Sequence, residues 1–142
     1  MSFVKIMIHA VWGTKNREPV LSKEIRSQLF HHIRENAQAK NILIDTINGH
    51  TDHVHCLFEL PTDESISKTL QLIKGESSYW INQQKLLVRK FSWATEYFAV
   101  SVSESQLPKA RAYLHKQEEH HKKITFAQEY DAFIKKYKFI GG

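Results

Sequence analysis

The chain has 142 residues, a formal net charge of +5 at pH 7 and a pI near 9.3. This length predicts a single domain over residues 1–142, and no segment approaches the roughly 18 uninterrupted apolar residues that a membrane span needs. Since the sequence shows no signal-peptide pattern, cytoplasmic residence is the default expectation. The positive charge favours an acidic partner, and nucleic acid is the commonest partner of that kind.

The predicted elements alternate between strands and helices. Strands are predicted where β-branched and apolar residues cluster, and helices where apolar residues recur every three or four positions. In chain order the predictions are a strand at Val4–Trp12, a loop at Gly13–Pro19, a helix at Ser22–Ala39, strands at Ile42–Ile47 and His53–Leu60, a helix at Ser65–Gln84, a strand at Tyr97–Val102, a helix from Pro108 and a helix or extension at Thr125–Tyr137. This order predicts an α+β fold, a ferredoxin-like sandwich with an antiparallel sheet.

A tight turn is predicted between the second and third strands. Asn48-Gly49 is a strong signal for a two-residue hairpin turn, because both residues tolerate positive φ angles. A turn that extends to Asp52 is the alternative. Either turn makes the two strands antiparallel neighbours.

Two histidines in the predicted third strand form the first candidate site. In His53-Val54-His55 the two-residue period of a strand directs both imidazoles to one face and Val54 to the other. Two imidazoles at this spacing can converge on one metal ion, although hydrogen-bonded surface histidines are the alternative. Asp52 is interpreted either as a turn residue or as a hydrogen-bond partner of a ligating histidine. Two ligands leave an ion under-coordinated, so a metal site also requires an oxygen ligand from elsewhere in the fold.

The predicted third helix offers that oxygen. Tyr113 and Gln117 are four residues apart, so they lie on one face of a helix with the phenol about one turn from the amide. If Gln117 completes the metal site, Tyr113 lies beside the ion. The alternative is an amphipathic helix with Tyr113 in the core and Gln117 on the surface.

These side chains together suit one reaction. A tyrosine phenol has a pKa of about 10 and attacks a phosphodiester poorly without help. A divalent ion provides that help as a Lewis acid, because it offsets charge on the phosphate and orients the reacting group. Attack produces a covalent phosphotyrosine, which a second strand end can reverse without an external energy source.

Four stretches in fixed order carry a resemblance to a known family. They are His9–Lys15, Gly49–Leu57, Lys74–Ser78 and Trp93 with Tyr97–Ser101, followed by the tyrosine helix. With these stretches the chain resembles the single-tyrosine HUH transposases of the insertion-sequence-200-like family, which includes relatives associated with repeated extragenic palindromes. The similarity runs from Val4 to about Lys123, and several motifs at consistent spacing are hard to obtain by chance.

The resemblance implies an HUH endonuclease fold with a C-terminal tyrosine helix and a terminal extension. It implies that His53, His55 and Gln117 hold a divalent Mg or Mn ion, and that Tyr113 is the nucleophile that forms a 5′-phosphotyrosine and frees a 3′ hydroxyl. The implied activity is that of a DNA transposase, which cuts and rejoins single-stranded DNA bearing hairpins. The implied assembly is a homodimer in which the tyrosine helix acts in trans, with a monomer as the alternative.

Two other functions are weighed against this one. The segment after Gln117 is similar to the relatives associated with repeated extragenic palindromes, which are non-mobile and often monomeric, so a domesticated protein that binds hairpin DNA without cutting it is the first alternative. A two-histidine phosphoesterase acting on RNA ends is the second, and it requires another strand-borne histidine pair. Neither His31-His32, which is helical, nor the adjacent His120-His121 provides one.

Basic and aromatic residues elsewhere are candidate DNA contacts. Five cations are predicted to contact DNA phosphates, with a solvated surface as the alternative: Lys15, Arg17, Lys74, Lys109 and Arg111. Core packing is expected, in preference to base stacking, for Trp12, Trp80 and Trp93. His120-His121 is interpreted as a solvated helix end instead of a second metal site.

Overall fold

The computed structural model describes residues 1–137 and 139, so residues 138 and 140–142 of the predicted 1–142 domain lie outside the described part. Within that part the chain forms four strands and five α-helices, with short 3₁₀ turns at Lys15–Arg17 and Glu104–Gln106. In chain order the elements are β1 (Met7–Gly13), α1 (Lys23–Ala39), β2 (Leu43–His50), β3 (His53–Glu59), α2 (Ile66–Gln84), β4 (Phe98–Val102), α3 (Leu107–His115), α4 (Gln117–His120) and α5 (Phe126–Lys136).

The four strands form one antiparallel sheet in the order β2-β3-β1-β4. Because α1 connects β1 to β2 and α2 connects β3 to β4, this is the ferredoxin-like order, and the predicted fold class is confirmed. Among the described helices, none has the length and apolar character that a membrane span requires.

Alternating side chains give the sheet two covered faces. Trp12 of β1 and Val54 of β3 lie against α1 and α2 in the main hydrophobic core. The intervening residues of the same strands pack against α3 and α5 on the other side. Since side chains alternate along a strand, this second face also carries His9, His53 and His55. All three tryptophans pack in or against the main core, as expected.

β1 begins at Met7, later than the predicted start at Val4. Both neighbouring strands end at this point, because Met7 pairs with Glu59 of β3 and with Val102 of β4. The preceding side chains, including those of Phe3 and Val4, are exposed. The apolar sequence therefore begins before the residues of β1 that pair with β3 and β4.

The predicted Asn48-Gly49 turn is wrong, and the alternative turn that reaches Asp52 is confirmed. β2 continues through both residues to His50, and the turn lies at Thr51 and Asp52. The last three residues of β2 are not apolar, so the alternating pattern ends before the strand does. The turn signal in the sequence therefore precedes the observed turn.

Gly49 lies where β2 passes close to the backbone of β3. A Cβ at this position would overlap the carbonyl oxygen of His53, a backbone atom that cannot rotate away. We expect Gly49→Ala to lower the free energy of unfolding by about 2 kcal/mol, a typical cost of overpacking, in urea denaturation. Gly75→Ala in α2 is the matched control, because nothing lies within 4 Å of a Cβ there and the helix should be stabilised. Equal stability of Gly49→Ala and the wild-type chain would contradict this close approach.

The predicted third helix is divided at Lys116. α3 has Pro108 in its first turn, as predicted, but ends before Lys116, which has φ −99° and ψ 18°. The Lys116 N–H bonds to the Tyr113 carbonyl, a 3₁₀-type contact, and α4 then begins at Gln117. The prediction that Tyr113 and Gln117 share the face of one helix is therefore wrong.

The terminal segment, predicted as a helix or an extension, forms the helix α5. Thr125 and Gln128 build a capping box, in which each side chain accepts a hydrogen bond from the other residue's N–H. Phe126 and Phe133 pack with Phe98 of β4 against the second face of the sheet. This packing places α5 over the strand residues that include the two predicted metal ligands.

Candidate active site

His53 and His55 lie side by side in β3 beneath α5. Both side chains are fully buried, and their ring centroids are 5.2 Å apart. Val54 between them belongs to the main core on the opposite face. The predicted shared face is confirmed, and neither residue is a surface histidine.

Each of these imidazoles is oriented by a hydrogen bond at Nδ1. Asp52 Oδ1 lies 2.8 Å from His53 Nδ1, and His9 Nε2 lies 2.9 Å from His55 Nδ1. The Nε2 atoms are thereby directed toward one point, the arrangement in which histidines bind metal ions. Asp52 fills both of its predicted roles. The role of His9 was not predicted, although a histidine within an otherwise apolar buried strand is a signal that could have found it.

The carboxamide of Gln117 reaches the same point. Its Oε1 atom lies 3.1 Å from His53 Nε2, and its side chain is fully buried. The first turn of α4, which lies against β2, brings it there. Gln117 therefore takes the position expected of an oxygen ligand, although the helix that carries it is not the one predicted.

A carboxylate from α5 lies at the centre of this group, and sequence analysis missed it. The side chain of Glu129 is only 2% exposed. Its Oε1 atom lies 3.0 Å from His55 Nε2 and 3.3 Å from His53 Nε2. Its Oε2 atom accepts a hydrogen bond from the Tyr113 hydroxyl. Glu129 thus links the histidines to the tyrosine.

Tyr113 lies next to the histidines of its own chain. Its ring centroid is 5.7 Å from that of His55, and its hydroxyl lies 3.2 Å from His120 Nε2 as well as bonding to Glu129. The ring packs partly against the small apolar cluster under α3. The polar end of the side chain therefore points into the histidine cluster.

The interpretation of His120-His121 as a solvated helix end is wrong. The side chain of His121 is 3% exposed, and its Nε2 atom lies 3.1 Å from Gln117 Oε1 and 3.2 Å from Glu129 Oε1. His120 is partly exposed, with Nε2 at 3.2 Å from Glu129 Oε2. Both rings turn inward because α5 folds back over the end of α4 and presents Glu129 to them.

Burial and charge give these groups different protonation states. Burial lowers the pKa of His55 to about 4 and that of His9 to about 3, so both rings are neutral at neutral pH. Burial alone would raise the pKa of Glu129, but hydrogen bonds from the surrounding histidines, His121 foremost, hold it well below its usual range. Burial and the hydrogen bond to Glu129 raise the pKa of the Tyr113 phenol above its ordinary value. The chain therefore presents a carboxylate to a protonated phenol.

The lowered pKa values of His9 and His55 predict a pH dependence of the metal-free protein. In the unfolded chain both rings titrate near their ordinary pKa of 6.5. Between that pH and about 4 the unfolded chain binds more protons, so the stability that these rings contribute is lost as the pH falls through this window. At a pH of about 5.5, ¹⁵N NMR should show both rings neutral. Protonated rings at that pH would contradict the burial that the structure gives them.

Two of the predicted DNA contacts lie near this cluster. Lys15 and Arg17 are exposed on the 3₁₀ turn that follows β1. The Arg17 guanidinium lies 5.8 Å from the ring centroid of Phe126, and that ring stacks on His53 at 4.1 Å. A phosphate bound by this turn would therefore be close to the histidines.

The other three predicted contacts lie elsewhere. Lys74 is on α2, beyond the main core, and its Nζ donates to the Ala94 carbonyl at 2.8 Å. Arg111 forms a bidentate pair with Asp45, with nitrogen to oxygen distances of 2.9 and 2.7 Å. Lys109 is exposed on α3. The charge of Arg111 is thus already offset by a carboxylate.

Comparison with known proteins matches this chain to transposases. The family profile described as "Transposase IS200 like" matches residues 2–117. The transposase for insertion sequence element IS200 of Salmonella typhimurium strain LT2 is 28% identical over 103 residues, which cover 68% of this chain and 67% of that protein. The ISDra2 transposase TnpA of Deinococcus radiodurans is 25% identical over 114 residues, which cover 77% of this chain and 81% of that protein.

Solved structures show the same fold. A candidate transposase from Deinococcus radiodurans R1 superposes with a TM-score of 0.66 at 23% identity, over 82% of this chain and 93% of that one. A REP-associated tyrosine transposase bound to a REP hairpin superposes with a TM-score of 0.65 at 16% identity, over 100% of this chain and 90% of that one. Both of these structures have the HUH fold.

The profile match includes His53, His55, Tyr113 and Gln117 but ends before His120, His121 and Glu129. It spans well over half of the chain, and the sheet order and the related structures agree with it. The protein therefore belongs to the IS200-like transposase family.

Proposed function

We propose that this transposase-family protein is a metal-dependent endonuclease and strand transferase for single-stranded DNA that carries hairpins, with Tyr113 as the nucleophile. The observation that carries the proposal is the Tyr113 ring, which lies 5.7 Å from that of His55 in a site where two buried, oriented imidazoles and a buried amide of the same chain meet. This is the set of groups that attack on a phosphodiester by tyrosine requires.

The residues present fit a divalent metal ion. His53 and His55 direct their Nε2 atoms at one point, and Gln117 Oε1 lies 3.1 Å from the first of them. Neighbouring ligands of an octahedral ion with bonds of about 2.1 Å are separated by about 3.0 Å, which is close to that distance. When bound there, a Mg or Mn ion would supply Lewis-acid stabilisation of charge on the scissile phosphate.

The chain itself positions the nucleophile and receives its proton. Glu129 Oε2 accepts the hydrogen bond of the Tyr113 hydroxyl, so this carboxylate is the nearest acceptor for the phenol proton. As the phenol oxygen forms its bond to phosphorus, its proton passes to Glu129, the bond from phosphorus to the 3′ oxygen breaks, and the leaving 3′ oxygen takes up a proton from water. The products are a 5′-phosphotyrosine and a 3′ hydroxyl, and reversal by another 3′ hydroxyl joins two strand ends.

The DNA partner rests on charge and on the relatives. The net charge of +5 suits a polyanion, and Lys15 and Arg17 are exposed beside the cluster. Lys74, Lys109 and Arg111 are proposed as further contacts, with Arg111 first having to exchange its Asp45 partner for a phosphate. A related transposase has been solved with a REP hairpin bound, which supports a hairpin as the DNA structure recognised here.

One chain supplies Tyr113, Gln117, His53 and His55 to the same site. This arrangement supports catalysis in cis. The homodimer with its tyrosine helix acting in trans is the competing proposal, and mixing Tyr113→Phe with His53→Ala protein separates the two. Recovery of cleavage in the mixture would indicate action in trans, because each variant keeps the half of the site that the other lacks.

The burial of the site favours a second candidate function, a domesticated protein that binds hairpin DNA without cutting it. His53, His55 and Gln117 are fully buried, with Glu129 of α5 packed against them. A DNA strand reaches these atoms by one of two routes. Either α5 moves away, or the DNA enters beside the partly exposed His120. A protein that never cuts DNA would tolerate such a covered site.

Cleavage of a labelled library of single-stranded hairpins distinguishes the two functions. The protein is incubated with the library in Mg²⁺, in Mn²⁺ or in EDTA, and the DNA is resolved on a denaturing gel. The nuclease predicts shortened strands in at least one metal and none in EDTA. Tight binding with intact DNA in both metals would instead indicate the hairpin-binding protein.

A further inference from the structure

We propose that His121 and Glu129, which lie beyond the family match, are additional ligands of the metal site, and that the resulting three-imidazole set favours a transition-metal ion over Mg²⁺. The inference rests on the metal site of the proposed function and extends it to the C-terminal segment. It makes α4 and α5 part of the metal centre instead of a cover over it.

The geometry of five atoms supports these two ligands. They are the Nε2 atoms of His53, His55 and His121 and the Oε1 atoms of Gln117 and Glu129. Glu129 Oε1 lies 3.0 to 3.3 Å from all three nitrogens, and Gln117 Oε1 lies 3.1 Å from two of them. These separations are close to the roughly 3.0 Å between neighbouring ligands of an octahedral ion.

The polar groups around Glu129 are crowded. A carboxylate offers about four lone-pair sites, and Glu129 has four hydrogen-bond partners, His55 and His121 at Oε1 and Tyr113 and Gln117 Nε2 at Oε2. The Nε2 atoms of His53 and His120 lie 3.3 and 3.2 Å from the same carboxylate. Three imidazole nitrogens thus lie within 3.3 Å of the single atom Oε1.

The orientation of His53 supports the same site. Its Nδ1 atom lies 2.8 Å from Asp52 Oδ1. Its Nε2 atom therefore faces the oxygens of Gln117 at 3.1 Å and Glu129 at 3.3 Å.

The ligand types select the metal. Mg²⁺ prefers oxygen ligands and retains several waters, whereas imidazole nitrogen favours transition metals. Two groups that could hold a metal ion, His53 with His55 and Glu129 and His120 with His121 and Glu129, share the carboxylate of Glu129.

The test is Mn²⁺ binding by the full chain without DNA, followed by calorimetry and electron paramagnetic resonance. We expect Glu129→Gln and His121→Ala each to raise the Kd for Mn²⁺ by at least about tenfold, since each removes one ligand. The matched control for the first is Asp131→Asn, an exposed carboxylate on the same helix, which should bind Mn²⁺ like the wild type. The wild type should bind Mn²⁺ at least about tenfold more tightly than Mg²⁺.

A second measurement on the wild-type chain does not depend on the folding of any variant. Electron spin-echo spectroscopy of bound Mn²⁺ should show couplings to three imidazole nitrogens. Couplings to two, or unchanged Mn²⁺ affinity in folded Glu129→Gln and His121→Ala, would overturn the inference. The Mn²⁺ measurements use no DNA and are therefore independent of the hairpin cleavage assay. Wild-type Mn²⁺ binding that is weakened by both variants, together with no cleavage in that assay, would overturn only the proposed nuclease function. Cleavage in that assay, together with Mn²⁺ binding that the variants leave unchanged, would overturn only the added ligands.

Discussion

Tyr113→Phe should abolish the covalent attachment of DNA and reduce strand cleavage below about a thousandth of the wild-type rate, because the variant lacks the only proposed nucleophile. Hairpin binding should stay within about twofold, since phosphate contacts dominate affinity and none of them involves this hydroxyl. The phenyl ring can keep its packing against Phe133, whose ring centroid is 6.0 Å away. The measurement is a denaturing gel for adducts beside a binding titration on the same DNA.

Tyr130→Phe is the matched control for this variant. Tyr130 is also a partly buried tyrosine near the second sheet face, but it packs against Phe126 and Phe98, away from the histidines. It should form adducts at the wild-type level. Adducts formed by Tyr113→Phe would remove Tyr113 from its proposed role.

His53→Ala should reduce metal-dependent cleavage by at least about a hundredfold, because the variant loses a metal ligand and the partner of two buried oxygens. His53 Nε2 contacts Gln117 at 3.1 Å and Glu129 at 3.3 Å, so the change leaves both without this neighbour. Initial cleavage rates over a Mn²⁺ titration measure the effect, with circular dichroism to verify folding.

His31→Ala provides the control, because the side chain of this histidine is 74% exposed on α1 and forms an ion pair with Glu35 of the same helix. It should cleave DNA at the wild-type rate. Cleavage by His53→Ala that equals the wild type, or that persists in EDTA, would refute the assignment of His53 as a metal ligand.

The sheet and the histidine pair could be predicted because both depend on local pattern. The alternation in His53-Val54-His55 fixes which side chains share a face, and burial of Val54 in the core then fixes which face that is. The turn at Thr51 and Asp52 was harder to locate, because Gly49 serves a close approach of two strands and not a turn. A glycine signal in a sequence does not distinguish these two causes.

Gln117 lies beside His53, as its predicted role requires, although the helix geometry behind that prediction is wrong. The helix ends at Lys116, so the four-residue spacing from Tyr113 does not place the two side chains on one helical face. Gln117 reaches His53 because α4 starts at that residue and lies against β2. The position of the Gln117 side chain is therefore determined by tertiary packing, which the spacing of residues in the sequence does not reveal.

Glu129 and His121 could not be located by strand or helix periodicity alone. Glu129 is three residues after Phe126 and four before Phe133, so a carboxylate lies on the apolar face of α5. A carboxylate on an apolar helix face is a signal in the sequence for a buried polar site, since a buried carboxylate needs partners. Which partners it has depends on how α5 folds back over α4, and this fold brings His121 inward as well.

The most direct test of the proposed chemistry is to identify the residue that carries DNA after the reaction. The protein is incubated with Mn²⁺ and a cleavable hairpin strand, the adduct is digested, and the modified peptide is sequenced by mass spectrometry. We predict a single modified site, Tyr113, joined to the 5′ phosphate of one fragment, with a 3′ hydroxyl on the other. An adduct on any other residue, or cleavage of the strand without an adduct, would contradict tyrosine nucleophilic catalysis at this site.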